Sequence, residues 1–239
     1  MTDVYIGYDD RDEIAASVCA SSIRRRSNCS LRYLRKTDPD VQKVFSRGFE
    51  LAPNGQMIDA IDGKPFSTDF SFTRFLVPYL EKYYGWAIFC DPDMIWLAPP
   101  EELLALADDK YAAMVVKHNH VPTEKTKMGG LVQTTYPRKN WSSLVLWNCG
   151  HRHNKMLAPQ QINLIEGSYL HGFVWLKDDE IGELDPAWNF LVGHSDPKIQ
   201  PKVIHHTDGS PTFKDCNTVR FADVFFDEIK DFWWTGRTA

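Results

Sequence analysis

Apolar and polar residues alternate in DVYIGYD (3–9), the pattern of a strand, and the acids that follow stop it. RDEIAASVCASSIRRRS (11–27) then carries apolar residues at helical spacing, so the chain opens as strand, loop and helix. STDFSFTRFLVPYLEKYYG (67–85) is amphipathic, has a capping serine or threonine available and ends on a glycine, which predicts a helix bent or restarted near Pro78. WAIFC (86–90) follows as a strand, and MIWLA (94–98) resumes the apolar run after a short acidic interruption.

Beyond Pro99 and Pro100 the pattern predicts a short helix in EELLALADD (101–109) and a strand in YAAMVVKH (111–118). A long loop, 119–140, comes next, rich in turn-forming and basic residues. WSSLVLWN (141–148) reads as a strand and 158–176 as mostly helix; 180–193 is a strand leaving through a proline turn, and 202–211 is a last strand. The tail, 221–239, has the apolar spacing of a docked helix. Strands alternating with helices predict an α/β fold with a mainly parallel central sheet flanked by helices.

A chain of 239 residues with 43% hydrophobic and 25% charged residues suits one soluble globular domain. Its formal charge of -5 supplies no electrostatic drive toward nucleic acid or anionic membranes. Cys19, Cys29, Cys90, Cys149 and Cys216 are odd in number and widely spaced, which argues against a disulfide framework or zinc ribbon and for a reducing, cytoplasmic setting. The N-terminus lacks the pattern of a signal peptide, and no stretch approaches membrane-spanning length.

The candidate chemistry centres on GWAIFCDPDMIWLAPP (85–100), where Asp91 and Asp93 sit between two apolar runs. Unpaired carboxylates buried there would cost several kcal/mol. In extended backbone, positions i and i+2 face one side, so a single divalent cation, manganese or magnesium, satisfies both; the bland alternative is an Asp-Pro turn at a strand end. The position is apt, because open α/β sheets bind ligands beyond the carboxyl ends of their strands.

In VIHHTDGSPTF (203–213), alternation points one of His205 and His206 inward and the other outward. His206 is the candidate third ligand or phosphate contact, with Gly209 and Ser210 supplying backbone close to the same anion; a satisfied structural histidine is the alternative. Asn148 closes an apolar strand and Gly7–Asp10 closes the first one, each either a ligand contact or an ordinary strand cap. Together these strand ends describe a cleft for a charged, polyol-like ligand such as a nucleoside diphosphate with a metal.

The ordered segments SFTRFLVPYL, IFCDPDMIW, LVLWNCG, LDPAWN and HHTDGSP resemble the GT-A-fold glycosyltransferases of glycosyltransferase family 8, across roughly 4–213. The resemblance implies a single Rossmann-like domain, 1–239: a nucleotide-binding half, 1–115, with the Asp-x-Asp; an acceptor-side half, 116–215; and a helical tail, 216–239. It implies a hexosyltransferase that uses a nucleotide-sugar donor, a UDP-sugar such as UDP-glucose, with retention of configuration. Manganese would be held by Asp91, Asp93 and His206, while Gly7, Tyr8 and Asp9 meet base and ribose. Arg74 matches the arginine near the donor, a salt bridge to Asp69 being its alternative. Asp93, Asn148 and His171 are the catalytic candidates; His171 stands where the family carries an Asp-Gln pair, and Ser210, Pro211 and Thr212 stand near its missing Lys-Pro-Trp.

The acceptor, a glycan, lipid-linked sugar, protein or modified nucleic acid, is expected at Trp188 and Asn189, although a buried tryptophan is the commoner fate. Lys117, His118, His120, Lys125, Lys127, Arg138 and Lys139 make the long loop basic, either for a phosphorylated acceptor or as a solvated face. Arg24, Arg25 and Arg26 end the first helix, Asp179 and Glu180 read as a solvated turn, and Trp233 and Trp234 are tail contacts for acceptor or membrane. The competing functions are a metal-dependent sugar-nucleotide phosphohydrolase, favoured by a third carboxylate near the metal, and a carbohydrate-binding or nucleotide-sugar-binding domain without catalysis.

Overall fold

The computed structural model describes residues 3–119, 126–127, 131–132 and 138–235. In chain order the elements are β1 (Asp3–Gly7), α1 (Glu13–Arg24), β2 (Ser30–Leu34), α2 (Pro39–Gln42), β3 (Phe49–Leu51), β4 (Met57–Asp59), β5 (Pro65–Phe66), α3 (Val77–Leu80), β6 (Trp86–Cys90) and β7 (Met94–Trp96). They continue with α4 (Pro100–Leu104), β8 (Ala113–Val115), β9 (Thr126–Lys127), β10 (Leu131–Val132), β11 (Leu144–Asn148), α5 (Pro159–Leu164), α6 (Gly167–His171), β12 (Ile181–Glu183), β13 (Phe190–Leu191), β14 (Val203–His205) and α7 (Ala222–Thr235).

The central sheet has the order β12-β8-β11-β6-β1-β2. Five strands run one way, and β11 alone is reversed, antiparallel to both β6 and β8. The strands are apolar on both faces because each face is covered. Tyr5, Phe89, Val145 and Trp147 pack with Phe72, Phe75, Ile162 and Phe173 on one side. Val4, Ile6, Ile88 and Leu146 pack with Cys19 and Ile23 of α1, Leu103 of α4 and the tryptophans Trp96 and Trp188 on the other.

A second sheet, β13-β14-β7, explains the interrupted apolar run at 85–100. The chain leaves the central sheet after Cys90, turns through Asp91–Asp93 and enters this smaller sheet as β7, so both flanks of the turn are buried while the turn itself opens on the cleft. A small meander, β3-β4-β5, adds a wall in a region where the sequence pattern predicts no element. Buried Arg47 joins it to the body, paired with Asp59 and donating at 2.7 Å to the carbonyls of Ile162 and Ile165.

The helix expected over 67–85 is shorter than its pattern. A tight turn, Thr73–Leu76, leads into α3, where Pro78 falls in the first turn and has no N–H to lose from the ladder. Left-handed Lys82 and Tyr83, at φ 54° and 56°, then end it before Gly85. The helix expected over 158–176 is likewise two short pieces, α5 and α6. The tail does form a helix, docked on α1 through Glu228, which accepts from Arg25 at 3.1 Å and Arg26 at 3.4 Å. No helix among the described residues is long and apolar enough to cross a membrane.

Candidate functional site

The carboxyl ends of β1 and β6, the start of β11 and the end of β14 meet on one edge of the molecule and line a single cleft. Its floor carries Asp91, Asp93 and His205, whose potential donor atoms all lie within 4.8 Å of one another, a group able to hold a metal ion. His205 Nε2 is 3.4 Å from Asp93 Oδ1. Arg74 lies behind Asp91, with Nη1 2.9 Å from Oδ1 and 2.8 Å from the Ser142 carbonyl. Asp69 pairs instead with Lys36 at 2.6 Å, so the helix-face bridge between Asp69 and Arg74 does not form.

The histidine in this group is His205 rather than the expected His206. Consecutive residues of β14 face opposite sides, and the cleft side belongs to His205 and Thr207. His206 packs its ring against Phe225 of α7, with ring centroids 5.9 Å apart, and neither ring nitrogen has a hydrogen-bond partner. Burial drives its pKa down to about 4 against the opposing pull of Asp93.

Asn148 is not in the cleft. Because β11 is reversed, Asn148 pairs with Trp86 at the start of β6, and its Nδ2 donates to the Tyr111 carbonyl at 3.0 Å. The cleft end of that strand is Ser142 and Ser143. The Ser143 carbonyl accepts from the Asp91 amide at 2.8 Å, and Ser142 Oγ lies 2.8 Å from His171 Nδ1. His171 does line the cleft, beside Phe72 and Gly167.

Of the first-strand residues, Asp9 lines the cleft and accepts from Arg11 and from the Asp69 amide at 3.0 Å. Tyr8 is buried edge-on against Tyr33 under the Arg35 guanidinium, 3.9 Å from its ring centre. Gly7 is required by packing: a Cβ there would fall 2.5 Å from the Phe70 ring. Gly209 holds φ 136° in the turn after β14, and buried Ser210 donates to Asp12 Oδ1 at 2.9 Å instead of facing the cleft.

The expected acceptor pair is core. Trp188 packs on Trp96 at 6.3 Å between centroids, and Asn189 is fully buried behind His205. In the basic loop, Lys139 lines the cleft, while Arg138 bonds the Gly172 carbonyl and Asp178. His120, Lys125 and the side chains of Lys127, Trp233 and Trp234 lie outside the described residues. Glu180 receives the Lys177 amide at 3.0 Å and pairs with His153 at 2.8 Å, at the sheet edge away from the cleft.

Sequence reasoning missed Asp12, a further acid on the cleft wall. It is only 6% exposed, and burial, reinforced by the charge of Asp93, raises its pKa to about 7. Its signal was its place just past the acidic loop at the start of α1. Asp9, Asp12, Asp59, Asp62, Asp91 and Asp93 line the cleft together with Lys64, Arg74 and Lys139; Asp9 is paired with Arg11, Asp59 with Arg47 and Asp91 with Arg74. A cation held by Asp91, Asp93 and His205 would let the cleft receive an anionic ligand.

No family model matches the chain. Protein CDI of Arabidopsis thaliana is 44% identical over 234 residues, which cover 96% of this chain and 86% of that protein. Among solved structures, the bifunctional glycosyltransferase WbbM superposes with a TM-score of 0.60 at 16% identity; the match takes in 95% of this chain but only 49% of WbbM. The galactosyltransferase LgtC, in complex with donor and acceptor sugar analogs, gives 0.57 at 15% identity and 96% of both chains. The chain belongs to the family of Protein CDI, and its fold is that of the GT-A glycosyltransferases.

Proposed function

We propose that this protein is a metal-dependent glycosyltransferase moving a hexosyl group from a nucleotide sugar to an acceptor hydroxyl. The observation that carries the reading is the Asp91–Asp93–His205 group on the floor of the cleft, in a GT-A fold. Two carboxylate oxygens and one imidazole nitrogen suit manganese or magnesium, with the remaining positions open to phosphate oxygens and water. A divalent cation there supplies positive charge where the leaving diphosphate develops negative charge. Arg74 pairs with Asp91 and aims it, Lys139 stands on the cleft wall toward the phosphates, and His171 with Ser142 faces the place of the donor sugar.

The donor we favour is a UDP-sugar such as UDP-glucose, transferred with retention. LgtC, with its donor and acceptor sugar analogs, makes a sugar the first acceptor class to try. Five free cysteines fit a reducing compartment, the cytoplasm. Asp12 favours a second reading, a sugar-nucleotide phosphohydrolase, because it adds a third carboxylate to the cleft wall beside the metal group.

The test is nucleoside diphosphate release from a panel of sugar nucleotides with manganese, with chelator and in Asp93→Ala. We expect turnover of one donor, falling by about a hundredfold or more with either perturbation. Product analysis with added sugar acceptors separates transfer from hydrolysis. Metal-dependent donor binding without turnover would leave a nucleotide-sugar-binding domain, and no metal-dependent binding would sink the metal reading.

A further inference from the structure

Asn189 is buried and outside the cleft, yet it touches His205, the histidine of the metal group. Its Oδ1 lies 2.9 Å from His205 Nδ1, and its Nδ2 lies 2.9 Å from Ser143 Oγ and 3.5 Å from the Asn140 carbonyl. The hydrogens along this chain are fixed by elimination. A carbonyl oxygen only accepts, so Ser143 Oγ, 2.6 Å from the Asn140 carbonyl, donates its proton there. The serine oxygen is then an acceptor for the Asn189 amide nitrogen. The reversed amide would set the Asn189 oxygen against both of those oxygens, with no hydrogen between them. Asn189 Oδ1 therefore faces the imidazole, and Nδ1 is the protonated nitrogen.

We infer that Asn189 is a positioning residue: through the relay Asn140–Ser143–Asn189 it holds His205 in the Nδ1–H tautomer and presents the Nε2 lone pair to the cation beside Asp93. Nε2 and Asp93 Oδ1 stand 3.4 Å apart, so a neutral ring in this tautomer turns one acceptor toward another. A cation between them resolves that opposition. The same relay reaches Asp91, because Ser143, whose hydroxyl accepts from Asn189, accepts from the Asp91 amide at its carbonyl. One serine thus ties the histidine ligand to the strand end that carries the acids.

The cation half of this inference rests on the proposed function, and the tautomer half does not. Long-range proton–nitrogen NMR of the metal-free protein, with the His205 signal assigned by its loss in His205→Gln, is expected to show the neutral ring carrying its hydrogen on Nδ1 rather than on Nε2. A neutral ring with its hydrogen on Nε2 would overturn the inference whether or not the protein binds metal. Manganese affinity, read by electron paramagnetic resonance without any donor, is expected to fall about 10–100-fold in Asn189→Leu. Asn189→Asp keeps an oxygen toward Nδ1 but turns its second oxygen on Ser143 Oγ, which must then give up the Asn140 carbonyl, so it is expected to restore only part of that affinity, which a role in packing alone would not require. Should Asn189→Leu fail to fold, Ser143→Ala is the second variant: it frees the amide to flip and is expected to give a mixture of tautomers. Wild type that binds manganese with Asn189→Leu binding equally well would overturn the relay and leave the proposed function standing. Wild type that binds no manganese would overturn the metal reading, and the NMR result would still decide the tautomer.

Discussion

Arg74 and Asp91 are joined across the cleft floor, Nη1 to Oδ1 at 2.9 Å, and the same nitrogen donates to the Ser142 carbonyl at 2.8 Å. Arg74 Nε reaches back to the Phe70 carbonyl at 3.3 Å, so one guanidinium connects the segment before α3, the end of β6 and the start of β11. Both partners are largely buried, at 7% and 17% side-chain exposure, and losing the cation leaves a carboxylate and a carbonyl without it. Arg74→Ala is expected to cost about 3 kcal/mol. Arg74→Lys retains the charge without the planar fork and should recover only part of that loss. Urea denaturation of the metal-free protein measures both, and an unchanged midpoint in Arg74→Ala would mean that the pair does not hold the floor together.

Gly7 makes a different kind of demand. Its backbone is ordinary extended strand, but Phe70 lies where a side chain would go, with ring atoms 2.5–2.9 Å from a Cβ placed there. Phe70 also lines the cleft and stacks 5.1 Å from the Arg74 guanidinium. Gly7→Ala therefore pushes on the floor of the site, at an expected cost of about 1–3 kcal/mol. In thermal melts this is a drop of several degrees. The double variant with Phe70→Leu should recover part of it, and additive losses would show that the two residues do not press on each other.

What the sequence made legible follows from what is local. Asp91 and Asp93 could be found because charge between two apolar runs demands compensation, and the alternation of the first strand and the helix after it located Asp9. Strand direction is not local. LVLWN reads identically either way, so Asn148 was assigned to the cleft when Ser142 and Ser143, at the other end of β11, occupy it. Period two said that one of His205 and His206 faces inward, and only the pairing of β14 with β7 decides which. The meander of β3, β4 and β5 escaped because strands of two or three residues carry too little periodicity to register. Trp188 and Asn189 have the residue types of a sugar site, but the contacts that bury them come from β7 and from the turn before β11.

Asp12 adds its own pH dependence to the stability of the metal-free protein. Its pKa rises from the ordinary 3.8 to about 7, because burial disfavours the charged form and Asp93 adds repulsion. Below the unfolded value both states hold the proton, and the shift contributes nothing. Between the two values the folded state keeps a proton on Asp12 that the unfolded state has lost, so the contribution of Asp12 falls as pH rises through this window, against the rise contributed by His206; above about 7 the whole Asp12 loss is in place. Asp12→Asn keeps an oxygen to accept from Ser210 Oγ while removing the titration. The variant is expected to match wild type near the unfolded pKa and to exceed it by on the order of 2–4 kcal/mol well above neutrality. Denaturation midpoints across that range measure the difference. A gap that does not change with pH would mean that Asp12 ionises freely. A divalent cation at Asp91 and Asp93 offsets the repulsion from Asp93, so adding manganese should shrink the gap in wild type and leave Asp12→Asn without such a pH-dependent response.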